Sequence, residues 1–438
     1  MSQKIQRPKG TADVTVSEVY RWHYVENMLR ENARLFGYRE TRFPVFEHTE
    51  LFIRGVGDTT DVVQKEMYTF DDKGGRSITL RPELTAGVIR SAIENGLVNG
   101  ALPLKVCYIG GCYRYEKPQA GRLREFHQFG VECIGAKEPI ADAEVISLAN
   151  SILNNIGIKN ISLEINSIGC PECRKEYHKA LKAYFSSKSA ELCGTCNERL
   201  DRNPMRILDC KSPVCSEIAA DAPVVIDYLC DECKAHFEKV KAYLTAMDIA
   251  YKVNPHIVRG LDYYTRTVFE FVSGDIGAQS TVCGGGRYDG LVSQMGGPVV
   301  PSLGFAMGIE RLMLVLKNQQ TELPDDVKPE LYIATMGENA LLKAAELSKA
   351  LRTDGFAVET DICGRGLKAQ MKYANKIGAK YTMVLGDDEI ERDSAKIKNM
   401  SSGVETDVSL NDICQELFGI INEEALRALE DSLQNEMI

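Results

Sequence analysis

The segment that decides the fold is residues 104–134, LKVCYIGGCYRYEKPQAGRLREFHQFGVECI. Apolar and aromatic side chains are frequent in 104–115 and 126–134, and the polar loop Glu116–Glu125 lies between these stretches. We therefore expect two adjacent strands joined by a long loop. Residues 265–272, TRTVFEFV, alternate polar and apolar side chains and predict a further half-buried strand. Because no helix regularly separates these strands, the pattern indicates an α+β fold, with an antiparallel sheet and flanking helices.

The remaining segments predict further elements and a domain division. Helical spacing predicts a helix over residues 16–36, and a strand is expected from Tyr38 to Phe46 with a break at Pro44. Residues 318–330, NQQTELPDDVKPE, are polar and contain two prolines, which is typical of a linker. Alternating strand-like and helix-like segments after it predict a small α/β domain with a mostly parallel sheet. The predicted parts are a sheet-bearing domain in two pieces, 1–169 and 236–320, an inserted cysteine-rich helical domain, 170–235, a C-terminal α/β domain, 329–425, and a tail, 426–438.

The composition limits where the protein acts and what it binds. The formal net charge of −10 argues against a protein that coats nucleic acid non-specifically, but a local basic surface still permits a specific nucleic-acid partner. No apolar run approaches the roughly 20 residues that span a bilayer. The N-terminal residues lack the apolar core of a secretory signal. We therefore expect a cytoplasmic protein without a membrane partner.

The cysteines indicate a metal site. Eight of the fourteen lie between residues 170 and 233, three pairs with CxxC spacing and one wider pair. Such pairs match the tetrahedral thiolate geometry of structural zinc, and eight thiolates suit two sites. The spacing leaves open which pairs combine, and reduced thiols in a small core are the alternative. The candidate ligands are Cys170, Cys173, Cys193, Cys196, Cys210, Cys215, Cys230 and Cys233.

Two segments contain residue types that suit a nucleotide. On the predicted strand 104–115, Arg114 offers a planar guanidinium for a phosphate, and Phe126 offers a ring for a base. In residues 304–312, GFAMGIERL, glycines bracket an apolar stretch that leads into a helix, with Arg311 near the helix start. Residue types alone favour an ordinary surface hairpin for the first segment and an exposed helical cation for the second.

Five segments in order resemble known signatures. Residues 38–52 (YRETRFPVFEHTELF), 108–132 and 304–312 resemble the three motifs of class II aminoacyl-tRNA synthetases. Residues 257–264 (IVRGLDYY) and 284–291 (GGGRYDGL) are similar to the histidine-specific signatures of the histidyl-tRNA synthetase family, bacterial type. The resemblance extends from about residue 7 to residue 420. The class I signatures and a GxxxxGK[ST] phosphate loop are absent from the sequence.

This resemblance implies an aminoacyl-tRNA ligase. Such an enzyme activates L-histidine with ATP and Mg²⁺ to histidyl-adenylate, and then esterifies tRNA-His. It also implies a homodimer, a catalytic role for the two-piece domain and an anticodon-binding role for residues 329–425. No DNA partner is expected. Zinc is not a general feature of the family, so the cysteine hypothesis rests on spacing alone.

The resemblance also assigns residues by matching position. The transition state of activation is anionic, so fixed guanidiniums suit it, and polar groups that pair only with imidazole suit discrimination. The implied sites are catalysis by Arg259 and Arg114; histidine binding by Glu83, Thr85, Gln128, Glu132, Tyr263, Tyr264 and Tyr288; ATP binding by Arg114, Glu116, Phe126 and Arg311; and tRNA acceptor contacts by Gln119 and Arg122.

Two other functions are alternatives to this one. A catalytically inactive, synthetase-like regulatory subunit of histidine biosynthesis is the first alternative. Such subunits lack the C-terminal domain and have eroded signatures. This chain has a predicted C-terminal domain, and its signatures are intact. A synthetase for threonine, proline or glycine is the second, and the segment 257–264 argues against it.

Overall fold

The computed structural model describes residues 4–58, 60–119, 121–210 and 212–436. The chain divides into two compact units between Pro324 and Asp325. Among the described helices, none combines the length and apolar character that crossing a bilayer requires.

The strands of the first unit form two sheets. In chain order they are β1 (Arg39–Glu40), β2 (Phe46–His48), β3 (Tyr68–Asp71), β4 (Ser77–Leu80), β5 (Leu104–Tyr113), β6 (Glu125–Ile134), β7 (Ile161–Ser167), β8 (Lys252–Val253), β9 (Thr265–Ser273), β10 (Thr281–Arg287) and β11 (Ser302–Gly308). The large sheet has the order β1-β5-β6-β11-β10-β9-β7-β8, and the small sheet has the order β2-β4-β3.

The α-helices of the first unit flank these sheets. They are α1 (Val19–Leu35), α2 (Thr49–Val56), α3 (Thr85–Glu94), α4 (Pro139–Asn155), α5 (Pro171–Ser186), α6 (Gly194–Arg202), α7 (Pro213–Ala220), α8 (Asp231–Ala246), α9 (Leu291–Gln294) and α10 (Ile309–Asn318). The predicted first helix is confirmed as α1, and it ends before Gly37, whose φ of +81° suits a residue without a side chain.

The predicted hairpin is confirmed as the centre of the large sheet. Strands β5 and β6 pair antiparallel from Leu104↔Ile134 to Tyr113↔Glu125, and β6 pairs antiparallel with β11. The strand predicted at 265–272 is β9. Among the described strands of the large sheet, only the edge pairs, β1 with β5 and β7 with β8, are parallel. The fold is therefore α+β, as the sequence indicates.

The strand predicted from Tyr38 to Phe46 is divided in two. Its ends form β1 in the large sheet and β2 in the small sheet, with Pro44 between them. Proline has no N–H to give to a ladder. Instead, the buried guanidinium of Arg81 donates to the carbonyl oxygens of Phe43 at 2.9 Å and Pro44 at 3.2 Å. Arg81 thus fixes the turn at which the chain changes sheets.

The predicted domain boundary at residue 235 lies inside helix α8. Cys230 and Cys233 are at the start of this helix, whereas Phe237, Val240 and Leu244 further along it are buried in the main core with the sheet. The cysteine-rich segment also shares its core with the rest of the unit, since Tyr177 and Ile207 belong to one buried cluster with Tyr263 and Tyr288. The segment is therefore not a separate hydrophobic unit.

A buried ion pair joins the sheet to helix α4. Arg287, at the end of β10, donates to both carboxylate oxygens of Asp142, at 2.5 and 3.2 Å, and the two side chains are 1% and 2% exposed. His236 of α8 lies 3.3 Å from the same carboxylate. Burial raises the pKa of Asp142, but Arg287 and His236 outweigh it and hold the pKa at about 2.

The second unit has a five-stranded mixed sheet. Its elements are β12 (Leu331–Thr335), α11 (Glu338–Thr353), β13 (Val358–Thr360), α12 (Leu367–Ile377), β14 (Tyr381–Leu385), α13 (Asp387–Glu391), β15 (Ser394–Asn399), β16 (Glu405–Ser409) and α14 (Ile413–Glu436). The order is β13-β12-β14-β15-β16, with the first three strands parallel and the last two antiparallel.

Two expectations for this unit need correction. The sheet is mixed because β15 and β16 add an antiparallel hairpin at its edge, where no strand was predicted from the sequence. The predicted tail, 426–438, is not separate from 329–425 in the described residues, because α14 runs through residue 425 without a break.

The buried pair generates a stability prediction. Asp142→Asn should lower the free energy of unfolding by about 3–5 kcal/mol, because Arg287 would remain as a buried charge without its main partner. The measurement is urea unfolding followed by the fluorescence of Trp22, the only tryptophan, which lies on α1 in the first unit.

The matched control is Asp289→Asn, which removes the second carboxylate on Arg287 at a site that is 31% exposed and should cost less than about 1 kcal/mol. The effect of Asp142→Asn should be undiminished at pH 5. The pair's stabilisation is complete above the ordinary pKa of aspartate and is lost only as pH falls through about 2. Equal midpoints for Asp142→Asn and Asp289→Asn would contradict this account.

Candidate active site

A cavity of about 690 Å³ opens on the large sheet of the first unit. This volume lies in the range of small-molecule sites. The sequence-predicted residues that line it are Glu83, Thr85, Arg114, Glu116, Arg122, Phe126, Gln128, Glu132, Arg259, Tyr263, Tyr264, Tyr288 and Arg311. Gln119 is not in the lining, and the neighbouring position 120 lies outside the described residues.

The sheet leaves room for this cavity through small residues. On β6, Phe126, Gln128 and Glu132 share one face, because alternate residues of a strand point the same way. Directly opposite on β11, Gly304 pairs with Glu132 and Gly308 pairs with Gln128. A Cβ on Gly304 would collide with the Glu132 carboxylate. The small–large alternation of GFAMG therefore provides the floor of the site.

Glu132 is the buried polar group at the inner end of the cavity. Its side chain is 1% exposed and accepts hydrogen bonds from the hydroxyls of Tyr108, at 2.8 Å, and Tyr288. Burial raises the pKa of Glu132 to about 8, even though both hydroxyls favour the ionised form. A carboxyl group with this pKa changes charge near neutral pH.

Three tyrosines surround this carboxyl group. The ring centroids of Tyr263 and Tyr264 are 4.7 Å apart, and those of Tyr263 and Tyr288 are 5.5 Å apart. Burial raises the pKa of the Tyr263 hydroxyl well above its ordinary value, so this hydroxyl keeps its proton. The inner end is thus an aromatic pocket with a carboxylate in its wall, which suits a small, flat, polar ring.

Arg259 lines the cavity beside the aromatic pocket and contributes a positive charge there. Its guanidinium pairs with Glu270 of β9 and lies 5.9 Å from the Tyr264 ring centroid. Burial lowers its pKa, but Glu270 and Tyr264 outweigh this effect and raise it, so the group stays charged. Its buried Nε has no hydrogen-bond partner among the described residues. This donor is available to an anionic ligand.

Glu270 is a site residue that the sequence did not identify. It sits opposite Gly284 across β9 and β10, and the Thr281 hydroxyl donates to it at 2.6 Å. The sequence offers one indication of its role, because Glu270 is a charged residue inside the otherwise apolar run VFEFV.

Further arginines make the outer end of the cavity cationic. Burial lowers the pKa of Arg311, and the positive charges of Arg122, Arg114 and Arg259 lower it further. Like charges held this close favour an anionic ligand between them. Arg114 donates to the Pro82 carbonyl at 2.7 Å and lies 5.3 Å from the Phe126 ring centroid.

Two polar lining residues are already engaged in local contacts. The Glu83 carboxylate accepts from the backbone N–H of Thr85, at 2.9 Å, and of Ala86, at 2.8 Å, and so caps helix α3. Burial raises its pKa. Gln128 Oε1 accepts from the thiol of Cys112 at 3.4 Å.

The loop between β5 and β6 contains the residues predicted to contact tRNA. Gln119 and Arg122 exchange backbone hydrogen bonds at 3.0 and 2.9 Å. The Arg122 guanidinium turns into the cavity and pairs with Glu116. Helix α10 contacts the same hairpin, because Glu310 accepts from the backbone N–H of His127 at 2.9 Å. Glu310 was also missed, although it precedes Arg311 in the third motif.

The eight cysteines form two groups of four. Cys170, Cys173, Cys230 and Cys233 make one group, and Cys193, Cys196, Cys210 and Cys215 make the other; within each, all thiol sulfurs lie within 4.8 Å of one another. The pairing that the spacing left open is thus the first CxxC with the last, and the middle CxxC with the wider pair.

Both groups fit a tetrahedral metal. Sulfur–sulfur distances of 3.6 Å (Cys170–Cys173) and 3.9 Å (Cys193–Cys210) match the ~3.8 Å expected around zinc with bonds of about 2.3 Å. Cys170, Cys193 and Cys230 immediately precede α5, α6 and α8. Helix N-termini stabilise thiolate charge.

Comparisons with known proteins agree along almost the whole chain. A family model described as histidyl-tRNA synthetase matches residues 10–312, and one described as anticodon binding domain matches residues 330–418. The histidine–tRNA ligase of Acetivibrio thermocellus is 56% identical over 412 residues, 94% of this chain and 99% of that protein. That of Caldicellulosiruptor bescii is 55% identical over 414 residues, 94% of this chain and 98% of that protein. The crystal structure of apo S. aureus histidyl-tRNA synthetase has a TM-score of 0.82 at 40% identity, covering 94% of this chain and all of that chain.

The raised pKa of Glu132 generates a prediction. As pH rises from 5 to 8, the folded wild type should lose stability relative to Glu132→Gln. The sign follows because the folded carboxyl keeps its proton up to about pH 8, whereas the unfolded one releases it near the ordinary value of 4.5. Melting temperatures of both proteins, read from Trp22 fluorescence across this range, measure the effect.

Glu94→Gln, at an exposed carboxylate of α3, serves as the control and should follow the wild type at every pH. A Glu132→Gln protein whose melting temperature stays parallel to the wild type from pH 5 to 8 would refute the raised pKa.

Proposed function

The chain belongs to the histidyl-tRNA synthetase family, and on that premise we propose that it activates L-histidine with ATP and transfers the histidyl group to tRNA-His. Membership makes it an aminoacyl-tRNA ligase. The regulatory-subunit alternative is disfavoured, because the chain matches both the synthetase model and the anticodon-binding model and is more than half identical to histidine–tRNA ligases.

One observation carries the proposal. A single cavity joins the buried Glu132, with its surrounding tyrosines, to the arginine-rich region. Glu132 is suited to accept the imidazole N–H, with Tyr264 and Tyr288 beside it. Thr85 and Gln128 are suited to the amino group of histidine, and Tyr263 to the wall of the ring pocket. We assign Glu83 to the same amino group, since a carboxylate that caps a helix still has lone pairs to offer.

The first half-reaction needs fixed positive charge. A carboxylate oxygen of histidine attacks the α-phosphorus of ATP, an O–P bond forms, and the bond to the bridging oxygen breaks as pyrophosphate leaves. We assign Arg259 and Arg114 to the charge that develops on the phosphoryl oxygens. Phe126 and Arg311 are suited to the two faces of adenine, and Glu116 lies beside them. When bound with ATP, Mg²⁺ supplies further neutralisation of the phosphates.

The second half-reaction needs tRNA beside the same cavity. The tRNA 3′-terminal hydroxyl attacks the histidyl carbonyl, and AMP leaves. We assign Arg122 and Gln119 of the hairpin loop to the acceptor end, with Gln119 acting from outside the cavity lining. We further propose that residues 329–425 bind the anticodon. A homodimer through the Pro44 segment and a cytoplasmic location complete the proposal.

We also propose that each four-cysteine group holds a structural Zn²⁺. The donor set is thiolate only, the sulfur spacing fits, and two of the insertion's helices, α6 and α7, have only nine and eight residues. Bound zinc would join segments that are distant in sequence and so favour the folded insertion.

Charging assays test the catalytic proposal. Purified protein with Mg-ATP, total tRNA and each of the twenty amino acids should incorporate label from histidine alone. Arg259→Ala should lower kcat for histidine-dependent pyrophosphate exchange by about 10²–10³-fold, because a preorganised donor is lost.

The control is Arg34→Ala, which removes an exposed arginine of the same unit that pairs with its helix neighbour Glu31. It should exchange at the wild-type rate. Wild-type exchange by Arg259→Ala would remove this residue from the mechanism, and no charging by folded wild type with any amino acid would favour the regulatory alternative.

Metal analysis tests the zinc proposal. The purified full-length protein should contain two equivalents of zinc by mass spectrometry of the dissolved metal. Cys170→Ser/Cys173→Ser should retain one equivalent, because the second group is intact. The control Cys363→Ser, at an exposed cysteine outside both groups, should retain two. A wild-type protein that is folded and free of zinc would contradict the proposal.

A further inference from the structure

The second cysteine group lies beside the cavity, unlike the first. Cys193 and Cys210 line the cavity, together with Thr195, Arg199 and Arg206 from the chain between them. Residues 193–210 are here called the clamp segment. It consists of α6 and a 3₁₀ turn, Pro204–Ile207.

Arg206 connects the clamp segment to the loop that contains Arg259. Its Nη2 donates to the Gly260 carbonyl at 2.6 Å and to Asp262 Oδ1 at 2.9 Å, and its Nε lies 3.2 Å from the same oxygen. Asn203, three residues earlier, donates to Asp262 Oδ1 at 3.1 Å. The Arg206 side chain is only 11% exposed, so solvent screens this pair little.

The loop is also fixed from its other side. The backbone N–H of Asp262 donates to the Val56 carbonyl at 3.2 Å, and a Cβ on Gly57 would collide with the Asp262 side chain. Asp262 is therefore held between the end of α2 and the clamp segment. Arg259 and Tyr263 flank this fixed stretch, so its position determines where their side chains enter the cavity.

Arg199 adds a second connection. It donates to Asp61 at 2.8 Å, beside the short helix Val62–Glu66 in the cavity wall, and to the Arg206 carbonyl at 3.3 Å. The two arginines thus link the clamp segment to both sides of the cavity.

The clamp segment has little regular structure with which to hold these arginines. Helix α6 has nine residues, of which only Cys196 is buried, and helices this short are unstable alone. Its two ends instead lie close together at the second cysteine group. The thiols of Cys193 and Cys196 are there within 4.8 Å of those of Cys210 and Cys215. A metal on these thiols would remove most of the freedom of the intervening chain.

We propose that a metal on the second cysteine group fixes the clamp segment, and that Arg206 is thereby a positioning residue for histidine binding in the proposed reaction. Arg206 acts through the Gly260–Asp262 stretch on Arg259 and Tyr263. This inference rests on the proposed roles of those residues and of the cysteines.

Histidine-dependent pyrophosphate exchange tests the role of Arg206. Arg206→Ala should raise KM for histidine about tenfold while KM for ATP changes less than twofold, because the loop contacts the amino-acid end of the cavity. Arg206→Lys should have a KM for histidine between those of the wild type and Arg206→Ala. Lysine can pair with Asp262, but it lacks the planar guanidinium that also donates to the Gly260 carbonyl. Lys182→Ala is the control: it removes an exposed ion pair with Asp201 in the same insertion and should leave both constants unchanged.

Two further variants separate positioning from general damage. Asp262→Asn should raise KM for histidine as Arg206→Ala does, and the double variant should be no worse than either single one. Arg206→Ala should retain two equivalents of metal, because none of the four thiols is changed. Additive losses or a fall in metal content would contradict a positioning role.

A cysteine variant tests the metal. Cys210→Ser should lose one equivalent of metal and raise KM for histidine by the same factor as Arg206→Ala. Loss of the metal with an unchanged KM would overturn the proposal that the metal fixes the clamp segment. Wild-type KM in Arg206→Ala, with an active parent enzyme, would overturn the inference alone. A parent protein without histidine-dependent exchange would overturn the proposed function instead.

Discussion

The structure of the site depends on the burial of the Glu132 carboxyl group inside the large sheet. This burial requires nearby hydrogen-bond donors and a small residue opposite the carboxyl group. A buried carboxyl group is costly unless hydrogen-bonded, and Tyr108 and Tyr288 supply the two donors. Tyr108 comes from the neighbouring strand β5, whereas Tyr288 follows Arg287 at the end of β10. The buried pair of Arg287 with Asp142 anchors that strand end to α4. Gly304 leaves the space that the carboxyl group occupies. The glycines of β11, the tyrosine donors and the buried ion pair thus all serve to accommodate the buried Glu132 carboxyl group.

The cavity separates its charges along its length. The inner end has a carboxyl group that changes charge near neutral pH, and the outer end has arginines close enough to lower the pKa of Arg311. The proposed binding mode places the polar ring of a zwitterionic amino acid beside the carboxyl group and the adjoining phosphate among the arginines. In the proposed reaction, the ring pairs with groups that would stay unsatisfied beside another side chain, which is a strong basis for discrimination. Binding and orientation therefore depend on the same separation of charge.

The sequence predicted what depends on local pattern and missed what depends on tertiary contact. Apolar and aromatic content identified β5 and β6, alternation identified β9, and the family resemblance identified thirteen residues that line one cavity. The hairpin β15–β16 is an exception: Ala395 and Ile397 alternate with lysines as in a half-buried strand, but this local pattern was not recognised as a strand. Glu270 was missed because its importance comes from Arg259, eleven residues away in sequence. The pairing of the cysteines was likewise open, since it depends on how α5, α6 and α8 approach one another.

The boundary inside α8 has a physical meaning for the insertion. Cys233 belongs to the first thiol group, and His236, one turn further along the same helix, lies 3.3 Å from the Asp142 carboxylate that holds Arg287. The next residue, Phe237, is in the main core. One rigid helix therefore joins a thiol group, the buried ion pair and the core. The insertion also packs Tyr177 and Ile207 into the cluster that contains Tyr288. Because neither the core nor the helix ends at the insertion's border, the packing of the insertion contributes directly to the position of Tyr288, one of the two tyrosines that donate to Glu132.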